Sequence, residues 1–354
     1  MEMVPLLQMP GIIGGMVTRD SGIAVARGVA SLQVILLHAT GPYISSFGPG
    51  WDAENLLCSF NRTCVPIFLM ISGAALAARQ PPDVNKAFWR AGRLLALLLI
   101  WTTFYAVWIN GLSLDNLVLT IVSFTQKPVY YHLWYIYLAI AIHLLIPAFQ
   151  GLFRSATMAQ RLCYAAIFFM LSPYVVRLTG GPSPAVLAFS WMGTFGGWLA
   201  YLIVGGCLVE WLRDASVRRR WIVCVGGLAA YVSASAGIAV LTADWSAQAG
   251  RPIQTLYEYQ APLVVLASIG LYAAIMAGSP IFSSWKGLIL AMEGLMSGVY
   301  FVHAIVLEFC FRYTLKIISG PQVAVSLVAG ISCFMASIAL VWLARLAKPV
   351  RFLT

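Results

Sequence analysis

The chain is 354 residues long, 61% hydrophobic and 10% charged, with a formal net charge of +10. Ordinary soluble domains carry roughly a quarter charged residues, so a soluble enzyme is excluded. A nucleic-acid role for the positive charge fails as well, because no soluble basic domain exists to carry it.

The composition predicts an all-α, polytopic membrane helical bundle. Each span needs about 20 mostly apolar residues, and about ten are expected, near 22–42, 60–78, 89–110, 131–150, 161–178, 192–212, 221–241, 256–277, 290–311 and 322–344. The segment before Thr18 is mildly apolar but begins with Glu2 and lacks a basic start, so it is not read as a cleavable signal peptide. The longest polar connection, 42–60, is too short to fold alone, which leaves one transmembrane domain over 21–346 between a segment 1–20 and a tail 347–354. Sixteen of the 22 Lys and Arg fall at the ends shared with the N-terminus, from Arg19 and Arg27 through Arg218, Arg219 and Arg220 to Arg345, Lys348 and Arg351. Only Arg62, Lys127, Arg177, Arg251, Arg312 and Lys316 fall at the opposite ends. Cytoplasmic loops retain Lys and Arg, so both termini are expected in the cytoplasm.

In chain order, the first span, AVARGVASLQVILLHAT, carries Arg27 and His38. Eleven residues make three helical turns with roughly 20° left over, so both side chains share one face, roughly 16 Å apart along the axis. Ionisable groups inside a span mark function by default. The second span follows Asn61 and Arg62 and contains Ser72-Gly73, a pair that admits close approach of a helix or a ligand. The third opens with Arg90 and Arg93 on one face, at the cytoplasmic side with Arg27, as headgroup anchors or as an anion cluster. YYHLWYIY places His132 and Trp134 at the outer start of the fourth span, and the deeper His143 reads as a hydrogen-bonded interior group. The ninth runs outward through SGVYFVHAIVLEFCFR, bringing Tyr300, His303, Glu308 and Arg312 to the outer half with His38. Cysteines 58, 64, 163, 207, 224, 310 and 333 are scattered without metal-type pairs and read mostly as small buried apolar residues, although a Cys58–Cys64 disulfide is chemically possible.

The Arg27-to-His38 spacing, the Arg90/Arg93 pair, NRTCVPIFLMISG, KPVYYHLWYIYLAIAIHLLIP and SGVYFVHA together resemble the bacterial acyltransferase-3 family of integral membrane O-acyltransferases along nearly the whole chain. The resemblance implies a multi-pass protein of the bacterial inner membrane. Its reaction would move an acyl group, usually acetyl, from cytoplasmic acyl-coenzyme A to a sugar hydroxyl of a cell-surface or exopolysaccharide, or of a lipid-linked precursor. Acetyl-coenzyme A is then a substrate, with no permanently bound cofactor, metal or nucleic acid. Membrane lipid and polysaccharide synthesis or export proteins are the expected surroundings. His38 would be the general base, backed by Arg27, with Arg27, Arg90 and Arg93 holding the coenzyme phosphates. Arg62, Ser72, His132, Trp134, Tyr300, His303 and Glu308 are expected at the acceptor or in support. Ser72, Trp134 and Tyr300 are also open as oxyanion donors. Direct transfer and an acyl-enzyme both stay open. The competing readings are a transporter or flippase using Arg27, His38 and Glu308, and an accessory subunit of a polysaccharide export system.

Overall fold

The computed structural model describes residues 21–78, 81–113, 126–172 and 184–347, with 115, 116, 120, 122, 124 and 174, leaving aside the side chains of 78 and 184–194. The segment 1–20, Arg79, Arg177, Lys348, Arg351 and most of the expected tail lie outside the described residues.

The described elements are helical. They are α1 (Ser21–Ile44), α2 (Trp51–Asn61), α3 (Cys64–Ala74), α4 (Val84–Asn110), α5 (Trp134–Ser155), α6 (Met158–Met170), α7 (Pro184–Leu212), α8 (Val217–Ala249), α9 (Pro262–Ala277), α10 (Lys286–Glu293), α11 (Met296–Ile317) and α12 (Gln322–Ala344). Among the described residues, nine stretches are long and apolar enough to cross a membrane, α2 and α3 counting as one. The protein is therefore a polytopic membrane helical bundle. The span expected near 161–178 meets the shorter apolar helix α6, and most of its remaining positions are among the residues not described.

One boundary differs from expectation. Most of the polar connection 42–60 is the helix α2, so the second crossing begins at Trp51. Asp52 and Glu54 lower the apolar average of this stretch, but both occupy the first turn of α2, where the positive end of the helix dipole favours carboxylates. Gly50 precedes them at φ 81°, a left-handed conformation that suits glycine. Trp51 closes the connection by donating from Nε1 to the Ile44 carbonyl at 3.2 Å. The break at Arg62 and Thr63 is tolerated because Pro66, in the first turn of α3, has no N–H to lose.

The chain forms two compact units. Residues 79–156 hold α4 and α5, which pack on each other; Asp83 caps α4 by accepting from the Lys86 N–H at 2.9 Å. In the larger unit α1 touches α2, α3, α9, α10, α11 and α12. It can do so because its buried side is built largely from small residues, Ala24, Ala26, Ala30, Ser31 and Ala39 among them. Two crossings bring backbones into direct contact. A Cβ on Gly73 would sit 1.9 Å from the Leu202 carbonyl oxygen, and Cβ atoms on Gly227 and Gly270 would sit 2.5 and 2.6 Å from each other's carbonyl oxygens. The Ser72-Gly73 pair thus admits a helix, α7, and Ser72 itself bonds back to the Phe68 carbonyl at 3.0 Å.

Arginines at the ends assigned to the cytoplasm do more than mark topology. Arg161 forms a two-pronged pair with Glu210, at 2.7 and 3.3 Å, joining α6 to α7. Arg213 donates to the Ala77 carbonyl at 2.8 Å and Arg220 to the Leu212 carbonyl at 2.7 Å, satisfying oxygens at or just beyond the ends of α3 and α7.

Candidate active site

Because α1 runs unbroken from Ser21 to Ile44, the three-turn relation between Arg27 and His38 holds along one helix. Pro42 lies one turn beyond His38 and removes the N–H that would otherwise bond the His38 carbonyl. The two ends of this face have different surroundings.

At the end nearer the N-terminus, the Arg27 guanidinium pairs with the carboxylate of Glu293, the last residue of α10. Both side chains are partly buried. Sequence reasoning missed Glu293; the available signal was an acidic residue inside an otherwise apolar expected span.

At the other end, the imidazole of His38 stacks on that of His303 from α11, with centroids 5.6 Å apart and planes 16° from parallel. His303 is fully buried, and its Nδ1 lies 2.6 Å from the Tyr300 carbonyl oxygen and 3.2 Å from that of Val299. A carbonyl oxygen only accepts, so Nδ1 carries the proton and Nε2 keeps the lone pair. Cys333 of α12 donates from Sγ to the His303 carbonyl at 3.3 Å, fixing this turn from behind. Tyr300 lies beside His303, ring centroids 6.0 Å apart. A cavity of about 10 Å³ opens one turn below His38, among Ser31, Val34, Ile35, Phe68, Tyr300 and His303. That volume admits about one water molecule.

A buried polar network holds these helices in register. Gln33 on α1 donates to the Phe60 carbonyl at 3.1 Å and accepts from the Thr63 hydroxyl at 2.9 Å, while Tyr231 on α8 donates to the same Phe60 oxygen at 2.8 Å. Ser326 on α12 is 2.7 Å from a carboxylate oxygen of the buried Glu54 and 3.2 Å from the Ala39 carbonyl, one residue past His38. Asn55 accepts from the Tyr257 hydroxyl at 2.5 Å and donates to the Ala239 carbonyl at 2.8 Å. Buried polar groups of this kind are strongly specifying because each must be satisfied. Arg62, at the break after α2, donates from Nη2 to the Cys58 sulfur at 3.2 Å and lies over the Tyr257 ring at 4.5 Å. Cys58 and Cys64 are both free thiols, so the possible disulfide is not formed.

The larger unit therefore brings His38, His303 and Tyr300 together, with Arg27 three turns away on α1. Ser72 is turned to its own helix. Glu308, partly buried, follows His303 by five residues and so lies on a different face of α11. In the smaller unit, Arg90 and Arg93 are partly buried neighbours on α4. His132, 2% exposed, is surrounded by Tyr105, Tyr130 and Tyr131 at centroid distances of 5.0, 5.6 and 5.7 Å. Trp134 begins α5 beside Tyr135, and His143 bonds through Nδ1 to the Ala139 carbonyl at 2.7 Å, as expected of an interior group. Among the described residues no cluster of His, Cys, Asp and Glu could hold a metal ion.

Comparison with known proteins gives one result. The family model described as an acyltransferase domain, acyltransferase 3, matches residues 20–346. No curated protein and no solved structure matches the chain.

Proposed function

For a chain that belongs to the acyltransferase 3 family, and is thus a membrane acyltransferase, we propose O-acetyl transfer from cytoplasmic acetyl-coenzyme A to a sugar hydroxyl, with His38 as general base. The observation that carries this reading is the stacked pair His38–His303 beside a water-sized cavity inside the membrane-crossing helices.

In the proposed reaction, a neutral His38 takes the proton of the attacking hydroxyl as its oxygen bonds to the thioester carbonyl carbon. The tetrahedral intermediate then expels the coenzyme thiolate, which recovers the proton from the imidazolium. His303, with Nδ1–H committed to main-chain carbonyls, stays neutral next to that imidazolium and adds no opposing charge. Arginine forks match phosphate oxygens, which supports Arg27, Arg90 and Arg93 as partners of the coenzyme. Glu293 would hold the Arg27 fork in place until phosphate shares it. Tyr300 and His303 adjoin His38 and suit the acceptor or its support. The tyrosine enclosure around His132 favours a supporting, packing role for that residue, with Trp134 two residues further on. Direct transfer is preferred to an acyl-enzyme because no serine sits in a nucleophile motif. The KPVYYHLWY and WDAENLL stretches resemble the O-acetyltransferase of enterobacterial common antigen, which supports a polysaccharide or lipid-linked sugar acceptor at a bacterial inner membrane.

Membrane vesicles of defined orientation test the reading. Acetyl-coenzyme A labelled in its acetyl group, added to inside-out vesicles from cells expressing the chain, should label the saccharide fraction, and right-side-out vesicles should not become labelled. Absence of saccharide label in either orientation would refute the proposed reaction. Equal labelling in both would refute its sidedness.

A further inference from the structure

Arg62 is a cation within the second membrane crossing, and its neighbours are not those that usually hold such a charge. Its Nη2 donates to the Cys58 sulfur, its guanidinium lies over the Tyr257 ring, and among the described residues its Nε is enclosed without a hydrogen-bond partner. Among the described residues no carboxylate is paired with it. Two other inward arginines of the same unit differ, since Arg27 has Glu293 and Arg161 has Glu210. A membrane-embedded charge is costly unless paired, and a cation–π contact with Tyr257 together with one hydrogen bond to the Cys58 sulfur offsets only part of that cost. Arg62 thus has four of its five N–H donors without a partner among the described residues.

Its depth is set by the packing around it. Leu37, the neighbour of His38 on α1, packs against the cluster containing Cys58 and Tyr257, the two groups that Arg62 touches. Gln33, five residues before His38, bonds Phe60 and Thr63 on either side of Arg62, so Arg62 lies beside the stretch of α1 that leads to His38. The break after α2 aims the side chain back along α2 toward Cys58.

We propose that Arg62 is the fixed positive charge that receives the negative charge formed on the acyl carbonyl oxygen during transfer, an assignment that rests on the acyltransferase reading of the His38 site. As the hydroxyl oxygen bonds to the carbonyl carbon, the carbonyl π electrons move onto oxygen and the hydroxyl proton moves to His38. The C–S bond then breaks, the oxygen reforms its double bond, and the thiolate takes the proton. Arg62 neither gains nor loses a proton; it lowers the barrier as a donor oriented before the charge appears.

Two coenzyme A thioethers of equal size test this by binding alone. S-carboxymethyl-coenzyme A places a carboxylate where the acyl group would sit, and S-carbamoylmethyl-coenzyme A places a neutral amide there. The protein in lipid nanodiscs should bind the carboxylate at least ~10-fold more tightly, as expected for a charge-assisted bond in a low-dielectric site. Arg62→Met should abolish the preference, and Arg62→Lys should keep part of it, because a point charge remains but the fork is lost. Equal affinity for the two analogues in the unaltered chain, or a preference that survives in Arg62→Met, would overturn the assignment while leaving coenzyme binding intact. If neither analogue binds, the donor reading itself falls and this role falls with it. Should Arg62→Met fail to fold, the ratio in the unaltered chain and in Arg62→Lys still decides.

Discussion

The four histidines divide two and two between the compact units, and the units treat them differently. In the larger unit His38 and His303 face each other across a helix–helix contact, beside a cavity. In the smaller unit His132 is boxed by tyrosine rings and His143 is tied to the carbonyl one turn behind it. All four are histidines in membrane-crossing segments, so residue type and depth alone do not separate them. The neighbours do: a ring facing another titratable ring beside open volume can exchange a proton with a reactant, whereas an enclosed or carbonyl-bound ring is occupied with packing.

The largest effect should come from the ring that this contrast singles out. His38→Ala should lower acyl transfer by ~10²–10⁴-fold, the range for losing a general base, with the coenzyme dissociation constant within about threefold of the original. Near-normal transfer by a well-folded variant would erase the distinction between the units. His303→Phe keeps a ring for stacking but removes the Nδ1–H held by Tyr300 and Val299. A displaced His38 partner should cost up to ~100-fold in turnover, since a misplacement of about 1 Å can have that effect; steady-state kinetics at saturating donor would read it.

Arg90→Ala or Arg93→Ala in the smaller unit should weaken acetyl-coenzyme A by ~10-fold or more, in keeping with loss of a hydrogen bond to a charged group. Acetyl-pantetheine, which lacks the nucleotide, should be unaffected. Equal losses for both donors would return these arginines to the role of headgroup anchors. The smallest effects belong to His132→Phe and His143→Leu, both expected within about threefold of normal turnover, with stability lowered by roughly 1 kcal/mol for the lost His143 bond. A hundredfold loss from either variant, with unchanged thermal melting, would show that the smaller unit also supplies a reacting group.

How far the sequence carried these conclusions depends on whether one helix or several were involved. Arg27 and His38 lie on the same uninterrupted helix, so periodicity alone put them on one face. Glu293, Gln33, Ser326 and the stacking of His303 on His38 were not legible, because they depend on which helices become neighbours. The start of α2 was misread for a different reason: Asp52 and Glu54 look like loop residues, yet a helix N-terminus accepts them, and Ser326 from α12 completes the environment of Glu54. Ser72-Gly73 was read correctly as a place of close approach, and only the opposing backbone of Leu202 identified the visitor as a helix.

The length of α8 has a mechanical consequence. Its 33 residues make a rod about 50 Å long, against a hydrocarbon layer of about 30 Å. Even tilted by about 40°, the upper end of the usual range, it would extend about 38 Å along the membrane normal. Tilt cannot hide the surplus, so one or both ends of this helix must project into the headgroup region. Its far end carries Asp244, Ser246 and Gln248, and Ser246 accepts the Ile253 N–H at 2.8 Å to brace the turn that follows. This end forms a short polar mast on the side opposite the Arg218–Arg220 run, a fixed post standing clear of the hydrocarbon layer.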